Sequence, residues 1–227
     1  YDMLRSLVGS EMCIRDRSNS DELIVKTVID NRGNPPQASR VPDAPVIQEN
    51  LGKVAPARTY QDLLTNPYDE KLFEYYMTSQ LVKVNMKGKA KKIGKPGIIR
   101  RSEPSPDGQY ILMETIHRPF SYLVPLSRFP FLVEILTNEG KLIHTLRDVP
   151  LAENVPIGRD GVITGPRSFG WRSDEGSTIY YVEALDDGNP RKNVPFRDKV
   201  FTINKPVSYT HLRAHETPEH RVFRGLG

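Results

Sequence analysis

Short runs that alternate apolar and polar residues, separated by turn residues, dominate the chain. Residues 81–86 alternate and lead into Lys87-Gly88, and residues 110–113 follow an acidic-glycine turn at 105–108. Alternation with a period of two is typical of a strand, and glycine-containing turns connect antiparallel strands. β-branched and aromatic residues favour strands, and they are concentrated in four further segments: 131–136, 141–146, 177–184 and 199–203. The pattern predicts an all-β fold.

One segment, residues 34–80, interrupts the strand pattern with proline and helix signals. Five prolines lie between residues 34 and 57. Because proline and the residue before it disfavour helix, this stretch is predicted to be extended. We therefore expect a Pro-rich and helical insertion into the β-scaffold.

Two short helices are predicted within the insertion. Thr59 can cap a helix over residues 60–64, and Asn66-Pro67 precede a second helical run over residues 69–76. The second helix would present an apolar face made of Leu72, Tyr75 and Tyr76. Such a face could bind a peptide, but apolar helical faces are usually buried, so we expect it to pack on the scaffold.

Two sequence patterns recur along the chain. The strand-and-turn segment 81–89 has the same layout as 133–141, with a glycine at the same offset from the strand start. An acidic-glycine turn also precedes an apolar strand at 105–112 and again at 173–182. Such repetition is typical of β-propeller blades. We therefore predict a partial β-propeller of about three blades, with a β-sandwich as the alternative because similar turns occur there.

The two ends of the chain are related to each other at the level of codons. Residues 3–17 and 206–220 admit fifteen consecutive pairs of complementary codons when one segment is read on the opposite DNA strand. This relation resembles translated sequencing-library adapter on both sides of a short insert. We therefore expect residues 1–18 and 206–227 to be adapter-derived, and only residues 19–205 to carry functional information.

Residues that could form a metal or redox site lie mostly in these ends. Four of them fall in the segments expected to be adapter-derived: Cys13, His211, His215 and His220. Residues 19–205 keep two histidines, His117 and His144, and no cysteine. The sequence therefore predicts no metal site and no cofactor.

Charge and hydropathy narrow the function classes. Residues 19–205 hold 26 Lys and Arg against 23 Asp and Glu, a net charge of +3, so no nucleic-acid-binding signature is present. The densest basic run, residues 87–95, surrounds a glycine turn and is predicted to be the solvated edge of a hairpin. No apolar run approaches the roughly 20 residues that span a membrane. The absence of cysteine from residues 19–205 leaves the compartment undetermined, because exported proteins can form disulfides but do not require them.

Several longer phrases resemble a known family of enzymes. They are ARTYQDLL at 57–64, LFEYYMTSQL at 72–81, IHRPFSYLVP at 116–125, RFP at 128–130, LAENVPI at 151–157 and WR at 171–172. These phrases are much longer than a turn signature, and the similarity extends over most of residues 20–203. The chain resembles glutamyl endopeptidases of the prolyl oligopeptidase family of serine peptidases.

The resemblance implies a non-catalytic part of such a peptidase. In this family an N-terminal β-propeller covers the active site of a C-terminal α/β-hydrolase domain, so the implied partners are a peptide substrate and that hydrolase domain. The hydrolase nucleophile lies in a G-x-S-x-G turn, which this sequence lacks, and its nearest segment, 165–170, has one residue too many before the serine. We therefore assign no catalytic residue and expect this propeller fragment to be inactive by itself.

The implied specificity points to arginine residues. Recognition of a substrate glutamate requires a cation, and arginine pairs with a carboxylate through two hydrogen bonds. Arg118 and Arg167 each stand beside a proline in a predicted loop. We predict both as substrate-facing candidates, although most arginines are surface residues.

Two other classes of function stay open. A stand-alone β-propeller that binds proteins without enzymatic activity would close into a full ring with no hydrolase domain after it, and a basic module would bind nucleic acid with strong salt dependence.

Three blades fall short of the roughly four to eight that close a propeller. We therefore expect the chain by itself to be marginally stable or prone to aggregate, and a monomer that melts cooperatively would contradict this.

Overall fold

The computed structural model describes residues 14–19, 22–38, 60–153, 155 and 161–204, and for 14–19 it describes the backbone alone. These residues form ten strands, one α-helix and one 3-10 turn. The strands are β1 Ile14–Asn19, β2 Glu22–Val28, β3 Ser79–Asn85, β4 Ala90–Pro104, β5 Tyr110–Ile116, β6 Phe131–Thr137, β7 Leu142–Val149, β8 Arg167–Trp171, β9 Ile179–Ala184 and β10 Asp198–Ile203. The helix α1 is Pro67–Met77, and the 3-10 turn is Leu126–Arg128.

The strands form two sheets in which all neighbouring strands are antiparallel. β1 to β7 lie in sequence order in a seven-stranded sheet, and β10, β9 and β8 form a three-stranded sheet. The predicted all-β class is confirmed. All six predicted strands are present, as β3, β5, β6, β7, β9 and β10, whereas β1, β2, β4 and β8 were not predicted.

Strand β4 is shared by two parts of the seven-stranded sheet. Its residues 90–97 pair with β3, and its residues 98–104 pair with β5. We call β1 to β3 with residues 90–97 the first sheet, residues 98–104 with β5 to β7 the middle sheet, and β8 to β10 the third sheet. One continuous strand therefore joins the first sheet to the middle sheet.

A bulge marks the place where β4 changes its partner. The step from Ser79 to Leu81 on β3 faces a step twice as long on β4, from Ile93 to Gly97. Pro96 lies inside this bulge, where the missing N–H of proline breaks no regular ladder. The bulge explains how a segment rich in glycine and proline can belong to a strand.

The middle sheet is buried on both faces because β5 alternates apolar residues between them. Ile111 and Met113 pack with the first sheet, whereas Leu112 packs with the third sheet. The first cluster consists of Ile24, Leu81, Ile93, Ile99, Ile111, Met113 and Leu136. The second cluster consists of Leu112, Val133, Ile135, Val149, Phe169, Trp171 and Ile179. Apolar residues on both sides of a strand fit a sheet that is covered by two others.

The two repeated hairpin segments form the same turn. Glycine has a positive φ in both, 77° at Gly88 and 87° at Gly140. The Gly88 N–H donates to the Asn85 carbonyl at 2.9 Å, and the Gly140 N–H donates to the equivalent Thr137 carbonyl at 2.8 Å. The predicted correspondence of these segments is confirmed. The lysines of residues 87–95 are exposed, while the apolar Ile93 in the same run enters the first cluster, so the solvated hairpin is confirmed as well.

One of the two predicted helices is present. The helix α1 begins after Asn66, whose side chain accepts a hydrogen bond from the Asp69 N–H at 2.9 Å, and this cap satisfies a free donor of the first turn. Residues 60–64 are not helical, so that prediction is wrong. Asp62 has a left-handed φ of 57°, and so short a segment does not nucleate a helix without further support.

Helix α1 packs at one end of the sheets. The Phe73 ring lies 5.0 Å from the Phe120 ring and 5.8 Å from the Phe129 ring, edge to face in both cases. These rings belong to or contact a third cluster of Ile98, Ile116, Phe120, Val124 and Phe129. We call α1 together with residues 117–130 the cap. Among the described residues no helix is long and apolar enough to cross a membrane.

Several predictions fall wholly or partly outside the described residues. The predicted helix N-cap residue Thr59 and most of the Pro-rich stretch, residues 39–59, lie outside them. Residues 206–227 do so as well. Strand β1 falls largely within the segment predicted to be adapter-derived and pairs with β2. An open sheet edge accepts any proline-free strand through its backbone, so this pairing does not test the origin of the segment.

Candidate functional site

A cavity of about 630 Å³ lies between the middle and third sheets, next to the second cluster. Its lining includes four arginines and one carboxylate: Arg100, Arg101, Arg128, Arg167 and Glu114. Its apolar wall includes Phe129, Phe131, Val149 and Phe169. The volume falls within the range of small-ligand sites, about 300 to 1,000 Å³. Apolar walls and an excess of guanidinium groups suit a ligand that carries an anionic group.

A β-bulge brings two consecutive arginines to the cavity. Ile99 pairs with Thr115 and Arg101 pairs with Glu114, so Arg100 is an extra residue on β4. Successive residues of a regular strand point to opposite faces, and a bulge interrupts that alternation. Arg100 and Arg101 therefore both line the same cavity.

The Arg100 guanidinium is held by a ring and a carboxylate. Its carbon lies 4.2 Å from the centroid of the Phe131 ring, a cation–π contact that fixes the plane of the group. Its Nε lies 3.6 Å from Glu114 Oε2. Within the described part of the chain no hydrogen bond uses this guanidinium, so its donors are available to a ligand.

Arg101 connects the middle sheet to the third sheet. Its Nη1 donates to the Phe169 carbonyl at 2.7 Å, and its Nη2 donates to Glu103 Oε2 at 2.6 Å. The same Nη1 lies 3.8 Å from Glu114 Oε1. These contacts give Arg101 a structural role across the sheet interface beside the cavity.

Arg167, a predicted substrate-facing residue, lies in the cavity wall. Its Nη2 donates to Asp198 Oδ1 of β10, while its Nε is buried and has no hydrogen-bond partner among the described residues. A buried donor without a partner is costly, unless a ligand or ion satisfies it. The structure thus places Arg167 at the cavity, and its contact with substrate stays a prediction.

A glycine shapes the wall next to Arg167. Gly170 of β8 pairs with Tyr180 of β9, whose side chain lines the cavity. A β-carbon at Gly170 would lie 2.7 Å from Tyr180 Oη. Only glycine leaves room for the Tyr180 ring to cross β8 in this position.

Arg128 reaches the cavity from the cap. It ends the 3-10 turn, and its carbonyl accepts the Ala152 N–H at 3.0 Å. Its Nη1 donates to the Ala152 carbonyl at 3.5 Å, a long and weak hydrogen bond. Most of the Arg128 donors are therefore unused by the described residues.

Arg118, the other predicted substrate-facing residue, is engaged with helix α1. Its Nε and Nη2 donate to the two oxygens of Glu74 at 2.7 and 2.9 Å, and its Nη1 donates to Glu70. Glu74 and Glu70 together raise the pKa of the guanidinium above its ordinary value. Arg118 does not line the arginine-rich cavity, and its predicted contact with substrate stays untested.

Glu70 also binds a tyrosine of the cap. Tyr122 Oη donates to Glu70 Oε1 at 2.8 Å. Burial, followed by this hydrogen bond and the charge of Glu70, raises the pKa of Tyr122 to about 12. Arg118 and Tyr122 therefore hold the same face of α1 against residues 117–130 of the cap.

Two tyrosines of the predicted apolar face of α1 contact an arginine rather than the third cluster. The Arg32 guanidinium lies over Tyr75 and Tyr76, at 4.1 and 5.1 Å from the ring centroids. Phe73, which was not predicted, packs into the third cluster instead. Tyr76 stays 59% exposed. The predicted packing of the helix on the scaffold is confirmed, but through a different residue.

The two histidines of residues 19–205 do not line the cavity. His117 Nε2 lies 2.9 Å from Asp148 Oδ1 at the surface, and His144 lies on β7. Within the described residues no group of three or more His, Cys, Asp or Glu side chains could hold a metal ion. The candidate site is therefore the arginine-lined cavity.

Two plant proteins are similar in sequence to this chain. A protein named probable glutamyl endopeptidase, chloroplastic, from Oryza sativa subsp. japonica is 45% identical over 192 residues, 84% of this chain and 20% of that protein. The protein of the same name from Arabidopsis thaliana is 41% identical over 184 residues, 81% of this chain and 19% of that protein. These similarities support the glutamyl endopeptidase family. The chain spans about a fifth of the length of these glutamyl endopeptidase relatives.

Other comparisons add little to this family support. No protein-family profile matches the chain. A crystal structure of an uncharacterized protein from Listeria monocytogenes EGD-e has a TM-score of 0.40 and 10% identity, over 83% of this chain and 35% of that chain. So distant a similarity carries no argument, and the relation to glutamyl endopeptidases rests on sequence.

Sequence reasoning missed three of the four lining arginines. Arg100 and Arg101 follow Ile98-Ile99 directly, and two apolar residues followed by two basic ones break the alternation of a strand. Such a break is a signal for a bulge. Arg128 had no local signal, because the fold of the cap alone brings it to the cavity.

Proposed function

We propose that this chain is a non-catalytic part of a β-propeller in a serine peptidase of the glutamyl endopeptidase type. It admits peptide substrates and holds an acidic side chain in position for an α/β-hydrolase domain of the same parent protein. The observation that carries this proposal is the cavity with four arginines, in a chain whose relatives are named probable glutamyl endopeptidase.

The packing of the sheets supports a propeller arrangement. Antiparallel sheets that follow each other in sequence and pack face to face are the basis of this fold, and the middle sheet is covered in this way on both faces. Equivalent turns of neighbouring sheets also touch. The Asp107 N–H before β5 donates to the Gly176 carbonyl before β9 at 3.1 Å, and these residues belong to the two repeated acidic-glycine turns.

The composition of the cavity supports recognition of an acidic side chain. A glutamate side chain has an apolar stem and a terminal carboxylate, which match the phenylalanine walls and the free donors of Arg100 and Arg128. Guanidinium groups bind carboxylates through directed, charge-assisted hydrogen bonds. Holding the substrate by its side chain would restrict the pose of the neighbouring peptide bond, which is the contribution of positioning to catalysis.

A pair of peptides tests the binding proposal. Two fluorescein-labelled pentapeptides, with a central glutamate or the isosteric glutamine, would be titrated with the chain and followed by fluorescence anisotropy. We expect the glutamate peptide to bind about tenfold more tightly, since hydrogen bonds to charged groups contribute on that scale. Arg128→Gln should abolish most of this preference, whereas Arg191→Gln, an exposed arginine outside the cavity, should retain it. Equal affinity for both peptides would contradict acidic recognition.

The propeller part of the proposal has a separate test. A cryo-electron microscopy structure of the rice relative would show how the matching 192 residues are arranged. We expect consecutive blades of one ring, with the equivalents of Arg100 and Arg128 facing the catalytic domain. An open sandwich, or a matching segment divided between two rings, would contradict the proposed architecture.

A further inference from the structure

Among the described residues, Glu114 is the one carboxylate in the lining of the arginine-rich cavity. It lies on β5 and is 8% exposed. Arg100 and Arg101 flank it, and both lie on the neighbouring strand β4. A buried carboxylate reduces the positive potential of such a cavity more strongly than a carboxylate in open solvent would.

The pairing of Glu114 is electrostatic rather than directional. The shortest contacts are 3.6 Å to Arg100 and 3.8 Å to Arg101. Charge-assisted hydrogen bonds between such groups are about 2.7 to 2.9 Å long, so Glu114 attracts both guanidiniums without filling their donors. A ligand carboxylate that made shorter contacts could therefore replace it.

The other contacts of the two arginines show which of them can change partner. Arg101 is fixed by hydrogen bonds to the Phe169 carbonyl and to Glu103. Arg100 is held by the Phe131 ring, and stacking on a ring leaves the N–H edge of a guanidinium open. Arg100 is therefore the group for which Glu114 and a ligand compete.

We propose that Glu114 is a tethered competitor that occupies Arg100 in place of the carboxylate of a ligand. This inference rests on the proposed function and assigns the regulation of its site. Without a ligand, the charge of Glu114 partly neutralises the positive charge of Arg100. An acidic side chain of a ligand binds by replacing the Arg100–Glu114 interaction with its own. Only a ligand that also reaches a second cation, such as Arg128, gains more than it displaces. Glu114 thereby lowers the affinity for carboxylates in general, most strongly for simple anions, and so raises the selectivity for an acid that reaches both cations over a simple anion.

The test uses the full chain and the two fluorescein-labelled pentapeptides. Glu114→Gln keeps the shape of the side chain and removes its charge, so we expect it to tighten binding of the glutamate peptide by about tenfold. Binding of the glutamine peptide should stay unchanged. Acetate, a simple anion, should also compete better with the glutamate peptide in Glu114→Gln than in the wild type.

Glu103→Gln is the matched control. Glu103 pairs with the same Arg101 at 2.6 Å but does not line the cavity, so this variant removes an equal charge from the same arginine. We expect less than a twofold change in peptide affinity, since the interaction it removes is outside the ligand's path. Tightening of similar size in both variants would overturn the proposal and indicate a general effect of net charge.

The outcomes separate this inference from the proposed function. If the wild type prefers the glutamate peptide but Glu114→Gln binds it equally or more weakly, the proposed function survives and Glu114 is a positioning residue, not a competitor. If neither the wild type nor Glu114→Gln prefers the glutamate peptide, both proposals fail. If Glu114→Gln alone shows the preference, acidic recognition by the wild type fails as a function, while competition between Glu114 and a ligand carboxylate is supported.

Discussion

The two faces of the middle sheet are built from the same strands but differ in their side chains and in what lies beside them. The face toward the first sheet is aliphatic, with residues such as Ile111 and Met113, and the turn at Gly140 packs on the backbone of β4. The face toward the third sheet adds aromatic residues such as Phe169 and Trp171, and the arginine-lined cavity lies beside it. One face contributes packing alone, whereas the other also borders a cavity lined by charged side chains.

The difference shows what a strand must do to build a site beside a core. Regular alternation supplies apolar residues to both faces, as Ile111, Leu112 and Met113 do on β5. Polar residues enter the interface at the bulge of β4 that carries Arg100, and at Glu114, which continues the Leu112 face of β5. A cavity at the end of a packed interface keeps its charged residues partly away from water, and this strengthens their interaction with a ligand.

Removing one core side chain from each face gives the largest expected effect. Ile111 and Ile135 are both fully buried, on opposite faces of the middle sheet. Ile111→Ala and Ile135→Ala should each lower the free energy of unfolding by about 3 to 4 kcal/mol, which would leave a marginally stable chain largely unfolded, as circular dichroism in increasing urea would show. Leu142→Ala on β7, where the side chain is 51% exposed, should cost less than about 1 kcal/mol. A small loss for either isoleucine would mean that its face is not covered.

A second prediction isolates the tight contact of the first face. A β-carbon at Gly140 would lie 2.1 Å from Gly94 N, whereas one at Gly33 would meet nothing within 4 Å. Both glycines have a positive φ, 87° and 76°. We expect Gly33→Ala to cost about 1 kcal/mol through backbone strain, and Gly140→Ala to cost about 3 kcal/mol because a clash with backbone is added. Equal losses in thermal or urea unfolding would show that the sheets can separate there without penalty.

The third prediction concerns the cap that carries Arg128 to the second face. Arg118→Ala removes the pairing with Glu70 and Glu74 and the cation–π contact with Phe120. Because Arg118 is about half exposed, we expect a loss of only about 1 kcal/mol. Hydrogen exchange of the α1 amides should accelerate, while that of β5 should not. A matching loss of preference for the glutamate peptide would instead support the predicted contact of Arg118 with substrate.

The last prediction is a dependence of stability on alkaline pH, which leaves stability at neutral pH unchanged. The folded chain raises the pKa of Tyr122 from 10 to about 12, so folding favours the neutral phenol. Its contribution to stability is complete below pH 10 and is lost as the pH rises from 10 toward about 12. Ultraviolet titration of the tyrosines, compared with Tyr122→Phe, would locate this ionisation. Glu70→Gln should lower the pKa, and an unchanged value would assign the shift to burial alone.

Much of the fold could be predicted from the sequence, because the hairpins depend on local patterns. The alternation in β3 and β5 and the glycine turns at Gly88 and Gly140 need no distant contact to be recognised. Strand β4 could not be predicted in this way. Its lysines, glycines and Pro96 are typical of a loop, and only pairing with β3 and β5 makes the segment a strand, a case where tertiary context overrides propensity.

The site was less predictable than the fold. Arg167 lies in the cavity wall, and its contact with substrate stays a prediction; a neighbouring proline in a loop is an incomplete reason to choose it, because Arg167 begins β8. The same reasoning selected Arg118, which contacts α1. Position beside a proline does not reveal which interface a side chain enters, and that depends on how separate sheets pack.

Because β4 is one continuous strand, it fixes the distance between the first cluster and the arginine-lined cavity. Ile93 anchors this strand in the first cluster, and Arg100 stands seven positions later at the cavity. Adding one residue to the intervening stretch would either enlarge the bulge near Pro96 or rotate Arg100 and Arg101 by half a strand period. Insertions and deletions in that stretch should therefore alter ligand preference in the relatives even though they lie away from the cavity.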